Sequence, residues 1–271
     1  MMIQEKFLHW KEKKICYRIA GAGRPVLLLH GFGEDGQIWN QQLTELEESY
    51  LLIIPDIPGS GKSEWVGGAG IDDYAEIIKK ITDAEAVSPN NPVAFIGHSM
   101  GGYIALAFAE RYPEFLAGLS LFHSSAYADS EEKKKSRQKA ITFIEEKGAA
   151  PFLQTAIPGL FSEGYKQSNP EKVEALVHDG HQFSAEALVQ YYQAMIARPD
   201  RTAVLHNITR PVLFIIGQYD TAVPMQASLE QSHLPQVSIV HILRYSGHMG
   251  MWEETGRVNE ILNSFLSVCF A

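Results

Sequence analysis

The sequence predicts an α/β protein in which a mostly parallel, twisted sheet is flanked by helices and carries an inserted helical cap. Residues 26–29, 51–54 and 93–96 are continuous apolar runs, as expected of strands buried on both faces of a sheet. Helical patterns at 39–48 and 71–86 separate these runs. Alternation of strand and helix implies parallel strands joined by right-handed crossovers.

The chain opens and closes with elements that extend this pattern. Residues 6–10 and 15–20 flank a charged tetrapeptide and predict a β-hairpin. A small-residue helix is expected at 101–112. The remaining core elements are predicted to be strands at 116–122, 211–216 and 237–243 and helices at 225–231 and 252–270.

Nearly ninety residues between strands 116–122 and 211–216 differ in sequence pattern from the rest of the chain. They contain a charge run at 129–139, helical spacings and several Pro and Gly breakers. We interpret residues 124–206 as an inserted helical domain, here called the cap. Residues 1–123 and 207–271 then form the core. The charged residues 131–135 are expected to be a solvated helix face.

Composition narrows the class of protein. The 271 residues are 45% hydrophobic and 20% charged, with a net charge of −9, which is typical of a globular chain and argues against nucleic acid or anionic lipid as a partner. Two cysteines give no disulfide framework. The chain has no apolar stretch of the roughly 18 residues that a membrane helix needs, and we expect a cytoplasmic protein. Its oligomeric state is left open.

The hexapeptide at 97–102, Gly-His-Ser-Met-Gly-Gly, contains a G-x-S-x-G pattern between a buried strand and a helix. At such a sharp turn, Gly97 and Gly101 remove side chains that would clash. The hydroxyl of Ser99 is then held at the carboxyl edge of the sheet, which makes Ser99 the candidate nucleophile.

A serine hydroxyl needs a base, and the base needs a carboxylate to orient it. Asp220 and His248 follow the two late strands, so both are expected at the same sheet edge as Ser99. The chain order Ser, Asp, His is that of the nucleophile-elbow architecture. Asp129 is the rival for the acid, because it is the nearest carboxylate after strand 116–122.

Other residues near this edge are candidates for secondary roles. The His-Gly-Phe-Gly turn at 30–33 aims the Phe32 N–H into the site, where it and the Met100 N–H would form an oxyanion hole. Five side chains, with helix capping or ordinary packing as their alternative role, are candidates for the pocket wall: His123, Ser124, Tyr127, Met249 and Trp252.

No cofactor or metal site is expected. Residues 59–63, Gly-Ser-Gly-Lys-Ser, imitate the end of a phosphate-binding loop, but Asp56 stands where its first glycine belongs. The histidines at 178 and 181 lack a third ligand at a recognised spacing.

Together these motifs resemble the α/β-hydrolase fold family, specifically its capped, esterase-like branch. The matching segments are 30–39 (HGFGEDGQIW), 56–63 (DIPGSGKS), 97–102 (GHSMGG), 217–220 (GQYD) and 246–249 (SGHM). The resemblance implies Ser99 as nucleophile, His248 as base and Asp220 as its orienting acid. Epoxide hydrolases and haloalkane dehalogenases of this fold place aspartate where this chain has Ser99, so the resemblance disfavours those two reactions. Proline iminopeptidase-like members typically have Trp where this chain has Met100, which weakens the case for a peptidase without excluding it.

We therefore expect a cofactor-independent serine hydrolase that cleaves a small carboxylic ester or related acyl compound. The same triad also resembles that of carbon–carbon bond hydrolases, lactonases, thioesterases and cofactor-free peroxidases. An alternative from another class is a small-ligand receptor that keeps the fold but turns over slowly.

Overall fold

The computed structural model describes residues 3–271, apart from the side chain of residue 181. Eight strands form one sheet in the order β1-β2-β4-β3-β5-β6-β7-β8. The first two are antiparallel to their neighbours, and the others pair in parallel. This is the α/β-hydrolase fold, as the sequence predicts.

The elements lie close to their predicted positions. The strands are β1 (Gln4–Trp10), β2 (Lys13–Ala20), β3 (Arg24–Leu29), β4 (Tyr50–Pro55), β5 (Val93–His98), β6 (Leu116–Phe122), β7 (Val212–Gly217) and β8 (Ser238–Leu243). The core helices are α1 (Asn40–Leu46), α2 (Ile71–Ala84), α3 (Met100–Arg111), α10 (Met225–Gln231), α11 (Gly250–Glu253) and α12 (Thr255–Cys269). Between β6 and β7 lie α4 (Glu131–Lys147), α5 (Ala149–Ala156), α6 (Glu163–Ser168), α7 (Pro170–Asp179), α8 (Ala185–Ala197) and α9 (Thr202–Asn207).

The predicted closing helix is wrong in one respect, because it is broken into α11 and α12 at Glu254, whose φ is −129° and ψ 51°. Two carboxylates at this break, those of Glu253 and Glu254, bind the preceding loop. Glu253 accepts hydrogen bonds from the N–H groups of Gly247 and Met249, and Glu254 accepts them from Tyr245 N–H and the Ser246 hydroxyl. These bonds fix the loop that carries His248.

The loop that imitates a phosphate-binding sequence wraps a carboxylate instead. Asp56 accepts hydrogen bonds from the N–H groups of Lys62 and Gly36, both at 3.0 Å. A Cβ at Gly61, where φ is +50°, would lie 2.4 Å from the Asp56 carboxylate. The absence of a side chain at Gly61 therefore permits the close approach of Asp56. The Asp56 carboxylate links the loop after β3 to the loop after β4.

The helices between β6 and β7 are fastened to the core by polar contacts from α8. The hydroxyl of Tyr191 donates to the Pro58 carbonyl at 2.8 Å and lies 2.7 Å from the Ser60 hydroxyl. The Gln190 amide donates to the Val66 carbonyl and the Tyr74 hydroxyl. The division into core and cap stays a prediction.

The described residues bear on three further expectations, which concern membrane helices, the two cysteines and the paired histidines. Within residues 3–271, no helix has the length and apolarity needed to cross a bilayer. Cys16 and Cys269 are both free thiols. Of the two histidines weighed as a metal pair, the side chain at 181 lies outside the described residues.

The centre of the sheet should dominate stability. Ile53 is fully buried on β4, between Ile19 of β2 and Leu27 of β3. We predict that Ile53→Ala lowers the free energy of unfolding by about 2–5 kcal/mol, because it leaves a cavity in a close-packed core. Urea denaturation followed by circular dichroism measures this loss.

Ile242→Ala is the matched control, since Ile242 is 44% exposed on the edge strand β8. It should cost about 1 kcal/mol or less. Equal losses in the two variants would contradict the assignment of the core.

Candidate active site

Ser99 lies in the turn between β5 and α3, with φ 50° and ψ −115°. Only close backbone packing holds a non-glycine residue in this strained region. A Cβ at Gly97 would lie 2.5 Å from the Gly101 carbonyl, and one at Gly101 would lie 2.6 Å from the His30 carbonyl. Both glycines are thus required for the turn that presents the Ser99 side chain.

His248 and Asp220 come from the loops after β8 and β7 and meet at the same edge of the sheet. The His248 Nδ1 lies 2.7 Å from Asp220 Oδ2. Asp220 Oδ1 accepts the N–H groups of Ala222 and Val223, both at 2.8 Å. Burial by itself would raise the pKa of Asp220, but His248, His123 and their hydrogen bonds hold it well below its usual range. The carboxylate stays ionised.

The rival acid is engaged elsewhere. The Asp129 carboxylate is fully buried between Arg137, whose Nε lies 2.6 Å from Oδ2, and Arg198, whose Nη2 lies 3.0 Å from Oδ1. The structure therefore places Asp220, and not Asp129, against the His248 ring.

The structure corrects the prediction for His123, which does not line the pocket but lies behind the Asp220 carboxylate. Its Nδ1 is 3.2 Å from Asp220 Oδ2, and its Nε2 accepts the Gly250 N–H at 3.3 Å. Its Nδ1 also accepts the Gly217 N–H at 3.2 Å. Backbone N–H groups therefore point at both ring nitrogens, which is compatible only with a neutral ring. Burial lowers the pKa of His123 to about 4. Asp220 Oδ2 thus has a histidine on each side.

The other four candidates for the pocket wall are not among the residues that line the cavity at Ser99 either. Ser124 donates its hydroxyl to the Ser99 carbonyl at 2.7 Å. The Tyr127 carbonyl accepts from Arg198, Met249 is fully buried, and the Trp252 Nε1 donates to the Ile38 carbonyl. Position next to a strand end did not reveal these side-chain directions.

Ser99 and His248 open onto one cavity of about 580 Å³, a size typical of small-molecule sites. Its walls come from core loops and from the helices between β6 and β7. Most of the wall is apolar or aromatic: Phe32, Tyr103, Ala140, Phe152, Leu153, Ala156, Ile157, Leu160, Leu176, Tyr192, Met195, Val223 and Pro224. The charged residues are Glu34, Lys133, Arg137 and, when protonated, His248.

A second buried pair lies beside the elbow, and the sequence reasoning missed it. Glu34 Oε2 accepts the Gly31 N–H at 2.7 Å and lies 2.9 Å from His98 Nδ1, while His98 Nε2 lies 2.9 Å from the His248 carbonyl. Both His98 nitrogens face acceptors, so the ring is protonated. Burial by itself would lower the pKa of His98, but the charge of Glu34 raises it.

The predicted oxyanion donors lie where the geometry permits the role. Met100 is the first residue of α3, where a helix leaves its N–H groups unpaired. Phe32 lines the cavity, and the Gly31 N–H before it is fixed by Glu34. Glu34 lies in the segment 30–39 that resembles the α/β-hydrolase family. This resemblance was the signal in the sequence that could have pointed to its role.

The possible ligand atoms of His123, Asp220 and His248 all lie within 4.8 Å of one another, as the ligands of one metal ion would. The two atoms at the His248–Asp220 contact are 2.7 Å apart, which is a hydrogen-bond length. Two ligands of a tetrahedral zinc ion, each about 2.0–2.1 Å from the metal, stand farther apart than that. The cluster fits a proton-sharing network better than a metal site.

The fold and the elbow together define the chain as an α/β-hydrolase. It belongs to the family described as "Serine aminopeptidase, S33", whose model matches residues 22–247.

Named relatives are hydrolases with several substrates. The chain is 26% identical to a 2-hydroxy-6-oxononadienedioate/2-hydroxy-6-oxononatrienedioate hydrolase from Paraburkholderia phymatum, over 94% of this chain and 91% of that one. It is 30% identical to 3-oxoadipate enol-lactonase 2 from Acinetobacter baylyi, over 73% of each. A thermophilic esterase from Thermogutta terrifontis, solved with malate bound, superposes with a TM-score of 0.91 at 27% identity, covering 100% of both chains.

The neutral state of His123 predicts a pH dependence. Its pKa falls from 6.5 to about 4 on folding, so its contribution to stability is complete above pH 6.5 and declines as the pH falls towards 4. We predict that His123→Asn is less stable than the wild type at pH 7.5, and that this difference shrinks by about 2–3 kcal/mol at pH 4.5.

Urea denaturation of both proteins at the two pH values tests this prediction. A difference that stays constant or widens at pH 4.5 would show that the buried ring is protonated.

Proposed function

We propose that this protein is a serine hydrolase that cleaves small carboxylic esters through an acyl-enzyme. The observation that carries the proposal is the His248–Asp220 contact at 2.7 Å, on a ring that opens onto the same cavity as the elbow residue Ser99. The hydrolase relatives support the general class.

In the proposed reaction, the Ser99 Oγ attacks the substrate carbonyl while His248 Nε2 takes the hydroxyl proton. The N–H groups of Phe32 and Met100 stabilise the oxyanion of the tetrahedral intermediate. His248 then gives the proton to the departing alcohol. A water molecule attacks the acyl-enzyme with His248 again as base, which releases the carboxylic acid and restores Ser99.

Asp220 would act by holding His248 in the tautomer that carries its proton on Nδ1, so that Nε2 can accept the serine proton. Among the described residues, no hydrogen bond joins Ser99 Oγ to His248, and such contacts are often long until substrate enters. The hydrogen bonds from Ala222, Val223 and His248 hold the Asp220 carboxylate in place.

Lactone hydrolysis is the second candidate, supported by the 30% identity to the enol-lactonase over 73% of this chain. A lactone needs the same attack and the same oxyanion hole, and differs only in that the alcohol stays tethered to the acyl group. A peptidase role is less favoured, since Met100 replaces the tryptophan typical of iminopeptidase-like members.

We predict that Ser99→Ala lowers kcat for p-nitrophenyl butyrate by roughly 10³-fold or more, because no other group can form the acyl-enzyme. A fluorophosphonate probe should label the wild type and not the variant. The control is Ser125→Ala, since Ser125 is half-buried three residues after the end of β6 and does not line the cavity.

Undiminished hydrolysis by Ser99→Ala would refute the mechanism. A wild type that binds esters without multiple turnover would favour the receptor alternative. The same assay with lactones of equal carbon number decides the second candidate.

We also predict that Asp220→Asn lowers kcat by roughly 10⁴-fold, the size of effect seen when an amide replaces the orienting acid of a serine protease. The amide can hold His248 in the wrong tautomer while leaving the backbone turn in place. Steady-state kinetics with p-nitrophenyl butyrate measure kcat, and circular dichroism checks the fold. A kcat within tenfold of the wild type would remove Asp220 from the mechanism.

A further inference from the structure

One wall of the cavity is built around a buried charge imbalance. The single carboxylate of Asp129 lies between two guanidinium groups, those of Arg137 and Arg198. Lys133, one helical turn before Arg137 on α4, adds another positive charge to the lining. Asp129 therefore neutralises one of these three positive charges and leaves two.

The remaining positive charge is not neutralised by Glu34, the other acidic residue at the cavity. Glu34 accepts hydrogen bonds from protonated His98 and from the Gly31 N–H. Its charge is thus balanced within the elbow.

Arg137 and Arg198 differ in how their donors are used. Arg198 donates Nη1 to the Met195 carbonyl and Nη2 to the Tyr127 carbonyl, and it does not line the cavity. Arg137 binds Asp129 through Nε and Nη2. Its Nη1 has no hydrogen-bond partner among the described residues, and it is not one of the fully enclosed atoms. The Nη1 group is therefore available to a ligand.

Arg137 lines the same cavity as Ser99. Its guanidinium carbon lies 5.5 Å from the centre of the Tyr192 ring. That ring stacks on Phe32, with centres 4.3 Å apart. Arg137 thus lies beside Tyr192, which in turn lies beside Phe32, the residue whose N–H is a proposed oxyanion donor. The side chains of Arg137, Tyr192 and Phe32 line one cavity.

A purely structural role would explain the Asp129 contact but not the unused Nη1 edge. A guanidinium binds carboxylates through paired N–H groups. We propose that the site takes acyl compounds bearing a second, free carboxylate, which binds Arg137, so that the substrate class is a monoester of a short dicarboxylic acid or a lactone that carries a free carboxylate. This inference rests on the proposed function of Ser99.

The test compares two esters of equal acyl length, mono-p-nitrophenyl glutarate and p-nitrophenyl valerate. For Arg137→Gln, the ratio of kcat/KM for the charged ester to that for the neutral ester should fall roughly tenfold to hundredfold, the effect of one charge-assisted hydrogen bond. The Asp129–Arg198 pair remains balanced in this variant.

Lys135→Gln is the matched control, because it removes one exposed positive charge from the same helix without touching the cavity. It should leave the ratio unchanged. A ratio that is unchanged in Arg137→Gln, or that falls equally in both variants, would overturn the inference.

Binding separates this inference from the chemistry at Ser99. Isothermal titration with glutarate should show a dissociation constant for Arg137→Gln at least roughly tenfold above that of the wild type. Glutarate binding that does not depend on Arg137 would refute the subsite even if Ser99 is the nucleophile. A loss of binding in Arg137→Gln would support it even if esters are not hydrolysed.

Discussion

The organisation of the site depends on one buried carboxylate. Asp220 stays ionised at the end of β7 because it accepts three hydrogen bonds, two from backbone N–H groups and one from the His248 ring, and because the His123 ring lies 3.2 Å away. A buried charge without such partners costs several kcal/mol. The loops that supply these donors are therefore constrained together, and His248 has little freedom to turn away from the cavity.

The base is also fixed through its backbone. The His248 carbonyl accepts from His98, which is paired with Glu34, and the His248 N–H donates to the Leu160 carbonyl at 2.6 Å. The first contact links His248 to the elbow before Ser99, and the second links it to the helices between β6 and β7. A change in the position of these helices would therefore be transmitted to the proposed base without any change in the sheet.

The helices between β6 and β7 bring charged as well as apolar side chains to the cavity wall. Residues 131–135 have the composition of a solvated helix face, yet Arg137 shares one face of α4 with the buried Ile141 and Ile144, at spacings of four and seven residues. A cation on an apolar stripe was the signal that this arginine points inward. The charge run around it concealed that signal.

The sequence by itself determined the strand and helix order, the elbow at Ser99, and the arrival of Asp220 and His248 at one sheet edge, because periodicity and turn chemistry are local. Only the tertiary structure decided which acid faces His248, that His123 lies behind Asp220 rather than in the pocket, and that Glu34 pairs with His98. These contacts join residues between 28 and 97 positions apart in the chain. Side-chain direction at a strand end depends on which neighbours bury it, and no local pattern encodes that.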